Sequence, residues 1–236
     1  FVDDLFIDVY NKSRGIYELT EGYFDPTIGL LLEYYGFGPP NNFDFKKYSF
    51  SEILGSVGFD KTRLSSDIII KDNKLTKLDF NAIAKGYAVD IIASLMDKKN
   101  IDNYLIDIGG EILIKGNKKK SPWIVCIENP DISNSKPIKC LSKKDNEKYM
   151  AIATSGDYRN FFTIDNKRYS HTIDPKTGFP ISNNLASVSV ALPGQFRHTG
   201  DADALATALN VMGLNNGFEF AVENSIAALF VFKSEN

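Results

Sequence analysis

Apolar and polar residues alternate with clear periods in the first hundred residues. Apolar residues at three- and four-residue spacing predict a helix over residues 2–19, and a shorter helix over Ser49–Gly58 with Ser49 or Ser51 as its N-cap. Alternation then predicts two strands, Ile68–Ile70 and Lys74–Leu78, joined by a turn. A further helix is predicted from about Ala82 to Lys98, with Ile83, Ala88, Ile91, Ile92 and Leu95 buried.

Strands dominate the pattern after residue 100. Two apolar runs flank Gly109-Gly110, where the glycines indicate either a bulge or a place where a ligand approaches the backbone. A helix capped by Asp201, with Leu205, Leu209 and Met212 facing the core, precedes a helix near Asn215–Val222. The remaining predicted strands are Trp123–Ile127, Tyr149–Thr154, Ala186–Leu192 and a buried strand, Ile226–Phe232. With no repeat and no linker, the pattern predicts one α+β domain, with mostly antiparallel, mixed sheets flanked by helices.

Composition narrows the possible classes of protein. The 236 residues are 43% hydrophobic, which is ample for a core and excludes global disorder. A net charge of −3 argues against a nucleic-acid surface. No apolar run approaches the roughly 20 residues that span a bilayer. The first residue is Phe1, so we expect any leader or anchor to lie outside this sequence, and Cys126 and Cys140 leave a disulfide between them undecided.

The most distinctive polar segment is Arg168–Pro180. Asp174-Pro175-Lys176-Thr177 has the composition of a type I turn, and Gly178 suits a left-handed residue leading into the next strand. A plain β-hairpin explains the turn. It does not explain why His171, one of two histidines in the chain, stands with Asp174 at the mouth of the turn.

Two helix starts and an aromatic segment carry further candidate chemistry. A strand that passes through small residues into a helix at Asn81–Lys85 offers backbone amides and the charge of Lys85 to an anion, although a close helix–sheet contact explains the same pattern. Asp203 and Thr207 lie four residues apart, on one helix face with Ala206 between them. Carboxylate, hydroxyl and carbonyl oxygens are the ligands that Mg²⁺ accepts. Residues 21–38 are aromatic-rich and predict either core packing or ligand contact.

Six motifs, in this order along nearly the whole chain, resemble the ApbE family, whose members are FAD:protein FMN transferases once described as thiamine-biosynthesis lipoproteins. The motifs are Gly22-Tyr23-Phe24-Asp25-Pro26-Thr27, residues 78–90 (Leu78-Asp79 through Ile83-Ala84-Lys85-Gly86-Tyr87-Ala88-Val89-Asp90), Ile108-Gly109-Gly110-Glu111-Ile112, Ala153-Thr154-Ser155-Gly156-Asp157-Tyr158, residues 170–178 and Ala202–Leu209. The sequence departs from the family pattern at Asn81, where a glycine is common. The family's usual N-terminal section, with a Ser-Glu-Ile-Ser-like motif and aromatic flavin contacts, does not precede Phe1. Residues 1–236 are therefore expected to be an ApbE-like domain without that section.

The resemblance implies a set of site residues. Magnesium would be held by the Asp203 carboxylate, the Thr207 hydroxyl and the main-chain oxygen of Ala84, with Ala206 nearby. The residues implied for FAD are Tyr23, Phe24, Asp25, Asn81, Lys85, Tyr87, Gly109, Gly110, Ser155, His171 and Thr177. From their chemistry, Lys85, His171 and Asp174 are the candidate catalytic residues: Lys85 would supply positive charge, His171 would act as general base, and Asp174 would either orient the imidazole or serve only the turn.

The implied reaction is Mg²⁺-dependent transfer of FMN from FAD to a Thr or Ser hydroxyl of an acceptor flavoprotein, through a phosphoester bond and with release of AMP. A Mg²⁺-dependent FAD pyrophosphatase and a non-catalytic FAD-binding protein are the alternatives. The expected acceptor is a redox-chain subunit or extracytoplasmic flavoprotein with a short Ser/Thr motif, bound in a transient complex. No nucleic-acid partner is expected. The implied location is extracytoplasmic, with lipid anchoring to the membrane through a segment outside this sequence.

Overall fold

The structure is a computed structural model that describes residues 1–37, 42–130, 136–156, 161–164 and 167–233. Its α-helices are α1 (Asp4–Leu19), α2 (Gly29–Tyr34), α3 (Phe50–Leu54), α4 (Asn81–Lys98) and α5 (Thr199–Glu223). Short 3₁₀ turns span Phe45–Lys47 and Phe59–Lys61. The strands are β1 (Thr62–Ser65), β2 (Ile68–Lys71), β3 (Tyr104–Ile108), β4 (Glu111–Lys115), β5 (Asn117–Lys118), β6 (Ser121–Pro122), β7 (Val125–Ile127), β8 (Lys139–Leu141), β9 (Tyr149–Gly156), β10 (Phe161–Ile164), β11 (Lys167–Ser170), β12 (Leu185–Gly194) and β13 (Ala227–Phe232).

A five-stranded sheet in the order β13-β12-β9-β4-β3 forms the centre of the molecule, and every neighbouring pair is antiparallel. Alternation along β9 sends Ala151 and Ala153 into the core under the helices, while Met150 and Ile152 belong to a second core on the opposite face. The structure confirms the predicted α+β class with antiparallel sheets flanked by helices.

Helices α4 and α5 cover one face of this sheet, and α1 packs against both. Close approach is possible because the buried face of α5 is rich in alanine, with Ala202, Ala204, Ala206 and Ala208 fully buried. Gly213 has a φ of 73° and non-helical backbone angles, so α5 consists of two helices that meet at a kink, in agreement with the two helices predicted here. The predicted stripe of Leu205, Leu209 and Met212 does face the core.

The opposite face of the sheet is covered by the β7–β8 hairpin. Val125 is buried against Ile114, Met150 and Ile152. Cys126 and Cys140 are paired across the hairpin and joined by a disulfide, which the sequence left undecided.

A smaller core supports the segment that carries His171. Leu30 and Leu31 of α2 and Ile53 of α3 pack together with Ile173. Gly178 has a φ of 75°, and a side chain there would meet Phe50 and Leu54 at 2.9 Å. A turn forms at the predicted place, although its hydrogen bond spans one residue more than that of a type I turn: the Gly178 amide donates to the Asp174 carbonyl at 2.7 Å, and Ile173 bridges Pro180.

Local predictions were wrong at several elements. The first hairpin pairs β1 with β2, and Lys74–Leu78 is not a strand apart from an isolated bridge at Lys77. Gly109 and Gly110 both have positive φ and form a two-residue hairpin turn, so of the two alternatives the bulge is wrong. Strand β13 is a half-exposed edge strand, not a buried one.

Two helix predictions also need correction. In α4, Ile91 and Leu95 are exposed, whereas Gly86, Val89 and Ala93 are buried with Ile83. Asp201 is not the N-cap of α5: it lies in the first turn, where its carboxylate pairs with His198 Nδ1 at 2.5 Å. The sequence predicted Ser49 or Ser51 as the N-cap of α3. The N-cap is Ser49, which forms a capping box with Glu52. None of the described helices is long and apolar enough to cross a membrane.

Candidate functional site

A cavity of about 1010 Å³ lies where the start of α4, the first turns of α5, the β3–β4 turn and the His171 segment meet. This volume is at the upper end for cofactor and ligand sites. The predicted site residues on its wall are Tyr23, Phe24, Asp25, Asn81, Ala84, Lys85, Gly109, Gly110, Ser155, His171, Asp203 and Thr207. Residues from all six predicted motifs, far apart in sequence, are thus brought to one cavity.

Asp203 is the most strongly perturbed carboxylate on this wall. It is 6% exposed, and its Oδ2 accepts a hydrogen bond from the Gly86 amide at 3.1 Å. Burial raises the pKa of Asp203 to about 7; the charge of Lys85 opposes this rise, and that of Glu111 adds to it. The positive charge near Asp203 is therefore too small to stabilise its ionised form.

The position of Asp203 depends on a close contact between α4 and α5. A Cβ atom at Gly86 would lie 2.2 Å from the Thr199 carbonyl oxygen, so only glycine allows the two helices to approach this closely. This contact explains why a glycine stands in the interior of α4.

Lys85 contributes the positive charge at the cavity and is held by Glu111. Its ammonium donates to Glu111 Oε1, and the Glu111 side chain is 1% exposed. Burial raises the pKa of Glu111, and the hydrogen bond from Lys85 counters that rise. Glu111 is not among the site residues predicted from the sequence. An acid opening an otherwise apolar strand, Glu-Ile-Leu-Ile, was the available signal.

The donor set at Asp203 fits a hard cation. Asp203 and Thr207 both reach the cavity from one face of α5, with Ala84 on the wall contributed by α4. Lys85 is ion-paired with Glu111, and among the described residues Asp203 has no ion-pair partner, which leaves the negative charge of Asp203 to be balanced. The part of the chain that the structure describes contains no group of three or more His, Cys, Asp or Glu residues suited to a metal. Hydroxyl and main-chain oxygens would therefore complete the coordination, as they often do for Mg²⁺.

The aromatic segment supplies a second part of the wall. Lys176 Nζ lies 3.6 Å from the centre of the Tyr23 ring, and this contact ties the His171 hairpin to the segment. Asp25 is buried, and its Oδ1 accepts from the Thr27 amide at 2.7 Å and from the Thr27 hydroxyl at 2.6 Å. Burial nevertheless raises the pKa of Asp25 to about 6.

His171 lies half-buried on the wall, with its ring 6.4 Å from that of Phe37. The Asp174 carboxylate accepts from the Lys176 amide at 2.9 Å and from the Thr177 hydroxyl at 3.1 Å. These bonds serve the turn, as the hairpin interpretation anticipated. In the described structure Asp174 and Thr177 do not line the cavity.

Two other predicted residues lie away from the wall. Tyr87 is buried in the main core, where desolvation and the nearby Asp8 raise the pKa of its hydroxyl. Ala206 is fully buried behind Asp203 and Thr207. Asp157 and Tyr158 of the fourth motif lie outside the described residues.

Asn81, the departure from the family pattern, begins α4 at the cavity. Its amide donates to Asp79 Oδ1 at 2.8 Å, and its side-chain Nδ2 donates to Asp79 Oδ2 at 3.0 Å. The additional side chain is therefore bonded to the preceding turn.

Fold and cavity together define an α+β ligand-binding domain with an acidic, lysine-containing site. The family model described as "ApbE family" matches residues 1–230. The FAD:protein FMN transferase of Vibrio cholerae is 38% identical over 233 residues, which cover 98% of this chain and 67% of that protein. The enzyme of the same name from Haemophilus influenzae is 34% identical over 238 residues, with 98% and 67% covered. The crystal structure of Pseudomonas stutzeri flavinyl transferase ApbE, in its apo form, superimposes with a TM-score of 0.83 at 34% identity, covering 99% of this chain and 70% of that one.

The chain belongs to the ApbE family, which confirms the family and the fold class that its sequence predicts.

Proposed function

We propose that this flavin transferase moves FMN from FAD to a Ser or Thr hydroxyl of an acceptor protein and releases AMP. The observation that carries the proposal is the convergence of Asp203, Lys85 and His171 on one cavity, in a chain whose relatives are named FAD:protein FMN transferases. The cavity is large enough for a dinucleotide, and its polar wall suits a pyrophosphate.

The residues at the start of α4 would bind the pyrophosphate. Lys85 lines the cavity, has two ammonium hydrogens left after its bond to Glu111, and its side chain is 48% exposed. Tyr23, which is half-buried on the cavity wall, would provide aromatic surface for the ring systems of FAD, while Phe24 is buried in the main core beside it.

Asp203, Thr207 and the main-chain oxygen of Ala84 would hold Mg²⁺. When bound, the ion would neutralise charge on the phosphates during transfer. Ala206 would serve this site only by its small size, since it is buried behind the ligands.

His171 would take the proton of the acceptor hydroxyl as that oxygen forms a bond to the phosphorus of the FMN half. The bond between this phosphorus and the bridging oxygen breaks, and AMP leaves with the electron pair. The acceptor keeps FMN through a phosphoester. Asp174 would act on His171 only indirectly, by fixing the turn that follows it.

We further propose an extracytoplasmic location, in which the acceptor presents its Ser or Thr on a short exposed segment. The Cys126–Cys140 disulfide supports this location, because such bonds persist mainly in oxidising compartments. The lipid anchor and the redox-chain acceptor remain predictions from the resemblance.

Incubation with FAD, Mg²⁺ and an acceptor segment, followed by intact-mass measurement, tests the function. An added FMN mass on a Thr-containing segment, absent when that Thr is replaced by Val, supports transfer. Free FMN and AMP without an adduct, across several acceptors, would indicate a pyrophosphatase, and FAD binding without AMP release would indicate a binding protein. Asp203→Ala is expected to abolish the Mg²⁺-dependent product in either enzymatic case.

A further inference from the structure

Glu111 occupies an unusual position for a charged residue. It opens β4 directly after the Gly109-Gly110 turn, is 1% exposed, and has one carboxylate oxygen on Lys85. Its other oxygen, Oε2, is buried and has no hydrogen-bond partner among the described residues. A Cβ atom at Gly109 would lie 3.8 Å from both Glu111 Oε2 and Lys85 Cδ, so the ion pair lies close to the glycine turn.

The alternative partner for Lys85 is Asp203. Lys85 directly precedes Gly86, whose amide donates to Asp203 Oδ2, and both Lys85 and Asp203 line the cavity. Lys85 has a flexible four-carbon side chain that is 48% exposed and therefore free to reorient. If Glu111 lost its charge, pairing with Asp203 would become the favourable arrangement for the ammonium.

We propose that Glu111 is a positioning residue that holds Lys85 away from Asp203, so that the Asp203 carboxylate stays available to a divalent cation and the ammonium stays available to phosphate. This inference rests on the proposed function, in which both ligands bind at this cavity. Glu111 would contact neither FAD nor Mg²⁺, and it acts only through Lys85.

The first test is Mg²⁺ binding without FAD, measured by isothermal titration calorimetry on the whole chain. Glu111→Gln keeps the shape of the side chain and removes its charge. We expect Mg²⁺ to bind about 10–100-fold more weakly, the range found when partners of metal ligands are replaced. FAD affinity without Mg²⁺ should also fall, because the ammonium would then be paired with Asp203.

Glu33→Gln is the matched control. Glu33 also pairs with a lysine, Lys77, and its side chain is 6% exposed against 1% for Glu111. The two lysines are exposed to 49% and 48%. Glu33 and Lys77 do not line the cavity as described. Loss of this pair should leave Mg²⁺ affinity unchanged.

A double-mutant cycle separates positioning from a simple charge or folding effect. In a Lys85→Met background no ammonium can move to Asp203, and the buried Glu111, without its partner, would take up a proton. Adding Glu111→Gln should then change Mg²⁺ affinity by no more than about twofold. Unequal effects of Glu111→Gln in the two backgrounds are the signature of action through Lys85.

Wild-type Mg²⁺ affinity in folded Glu111→Gln would overturn the inference, as would an equal loss of affinity in both backgrounds. If Glu111→Gln does not fold, the two Lys85→Met proteins still decide, since a clear difference between them contradicts the proposal. The proposed function fails separately, if the wild-type chain binds no Mg²⁺ or forms no FMN adduct.

Discussion

Asp90 of α4 accepts a hydrogen bond from the backbone amide of Thr199, the first residue of α5, at 3.0 Å, and a second from the next amide, Gly200, also at 3.0 Å. Amides in the first turn of a helix lack partners within the helix. A carboxylate from another helix thus caps α5 and fixes it against α4. These two hydrogen bonds fix the start of α5 against α4, and so they set the position of Asp203, one turn further along α5, relative to Lys85.

Asp90→Ala should therefore destabilise the protein by about 2 kcal/mol or more, because it leaves two buried amides without acceptors. Urea unfolding measures this loss. Asp201→Ala is the control: Asp201 lies in the same helical turn, but its carboxylate pairs with the partly exposed His198. Equal destabilisation by the two substitutions would contradict the capping role of Asp90.

Gly86→Ala should separate α4 from α5, because the new Cβ would meet the Thr199 carbonyl oxygen at 2.2 Å. We expect a loss of about 1–3 kcal/mol, typical of overpacking, together with weaker Mg²⁺ binding as Asp203 is displaced. Gly15→Ala in α1 is the matched helix-interior control, since no atom lies within 4 Å of the added Cβ. It should stabilise the protein by about 0.5–1 kcal/mol. Similar unfolding curves for both variants would refute the close-contact explanation.

Reduction of the Cys126–Cys140 disulfide should lower the free energy of unfolding by about 3 kcal/mol on the chain-entropy model, since the bond closes a loop with a sequence separation of 14. Cys126 also lines the cavity, so FAD affinity should fall with reduction. Unfolding with and without reductant measures the first effect. The Cys126→Ser/Cys140→Ser double variant should have the same low free energy of unfolding with and without reductant. If reductant also lowers the stability of this variant, the loss seen in the wild type does not come from the disulfide.

Asp25 gives a pH dependence of defined sign. Its folded pKa is about 6, above the ordinary value of 3.8, so the folded protein binds this proton more tightly than the unfolded chain does. The contribution of Asp25 to stability should therefore fall by about 3 kcal/mol as pH rises from about 4 to about 6. Asp25→Asn keeps an acceptor for Thr27 and removes the titration. The difference in unfolding free energy between variant and wild type should grow over this interval; a constant difference would show that Asp25 does not titrate there.

Local chemistry made much of the fold predictable from the sequence. The turn at Asp174–Gly178 was recognised because proline, aspartate and glycine specify backbone angles directly. The helices of Asp4–Leu19 and Asn81–Lys98 follow from periodicity. The first hairpin was misplaced because β1, Thr-Arg-Leu-Ser, lacks an apolar alternation that would distinguish it from a loop. Its pairing with β2 identifies it as a strand.

Features created by distant contacts were not predictable in the same way. Asp90 and Thr199 are 109 residues apart, and Lys85 and Glu111 are 26 apart. Nothing in the local sequence of Glu111 indicates its partner. Asp201 was assigned as N-cap because it is the right type of residue near the right position, whereas Asp90 supplies the cap from another helix. Site residues were located through family motifs, which supply the long-range information that periodicity lacks.

His171 lies on the cavity wall, in a segment fixed by the turn at Asp174 and by the packing of Ile173. A general base acts mainly in the transition state, so His171→Ala should reduce turnover by about 10²–10⁴-fold while FAD affinity changes little. Single-turnover formation of the FMN adduct, together with FAD titration, separates the two quantities.

Added imidazole should restore part of the rate in His171→Ala, because it can occupy the vacated volume and accept the proton. His198→Ala is the control, since His198 is paired with Asp201 and does not line the described cavity. If turnover is normal in both His171→Ala and His198→Ala, another group accepts the proton of the acceptor hydroxyl, and the His171 hairpin has only a structural role.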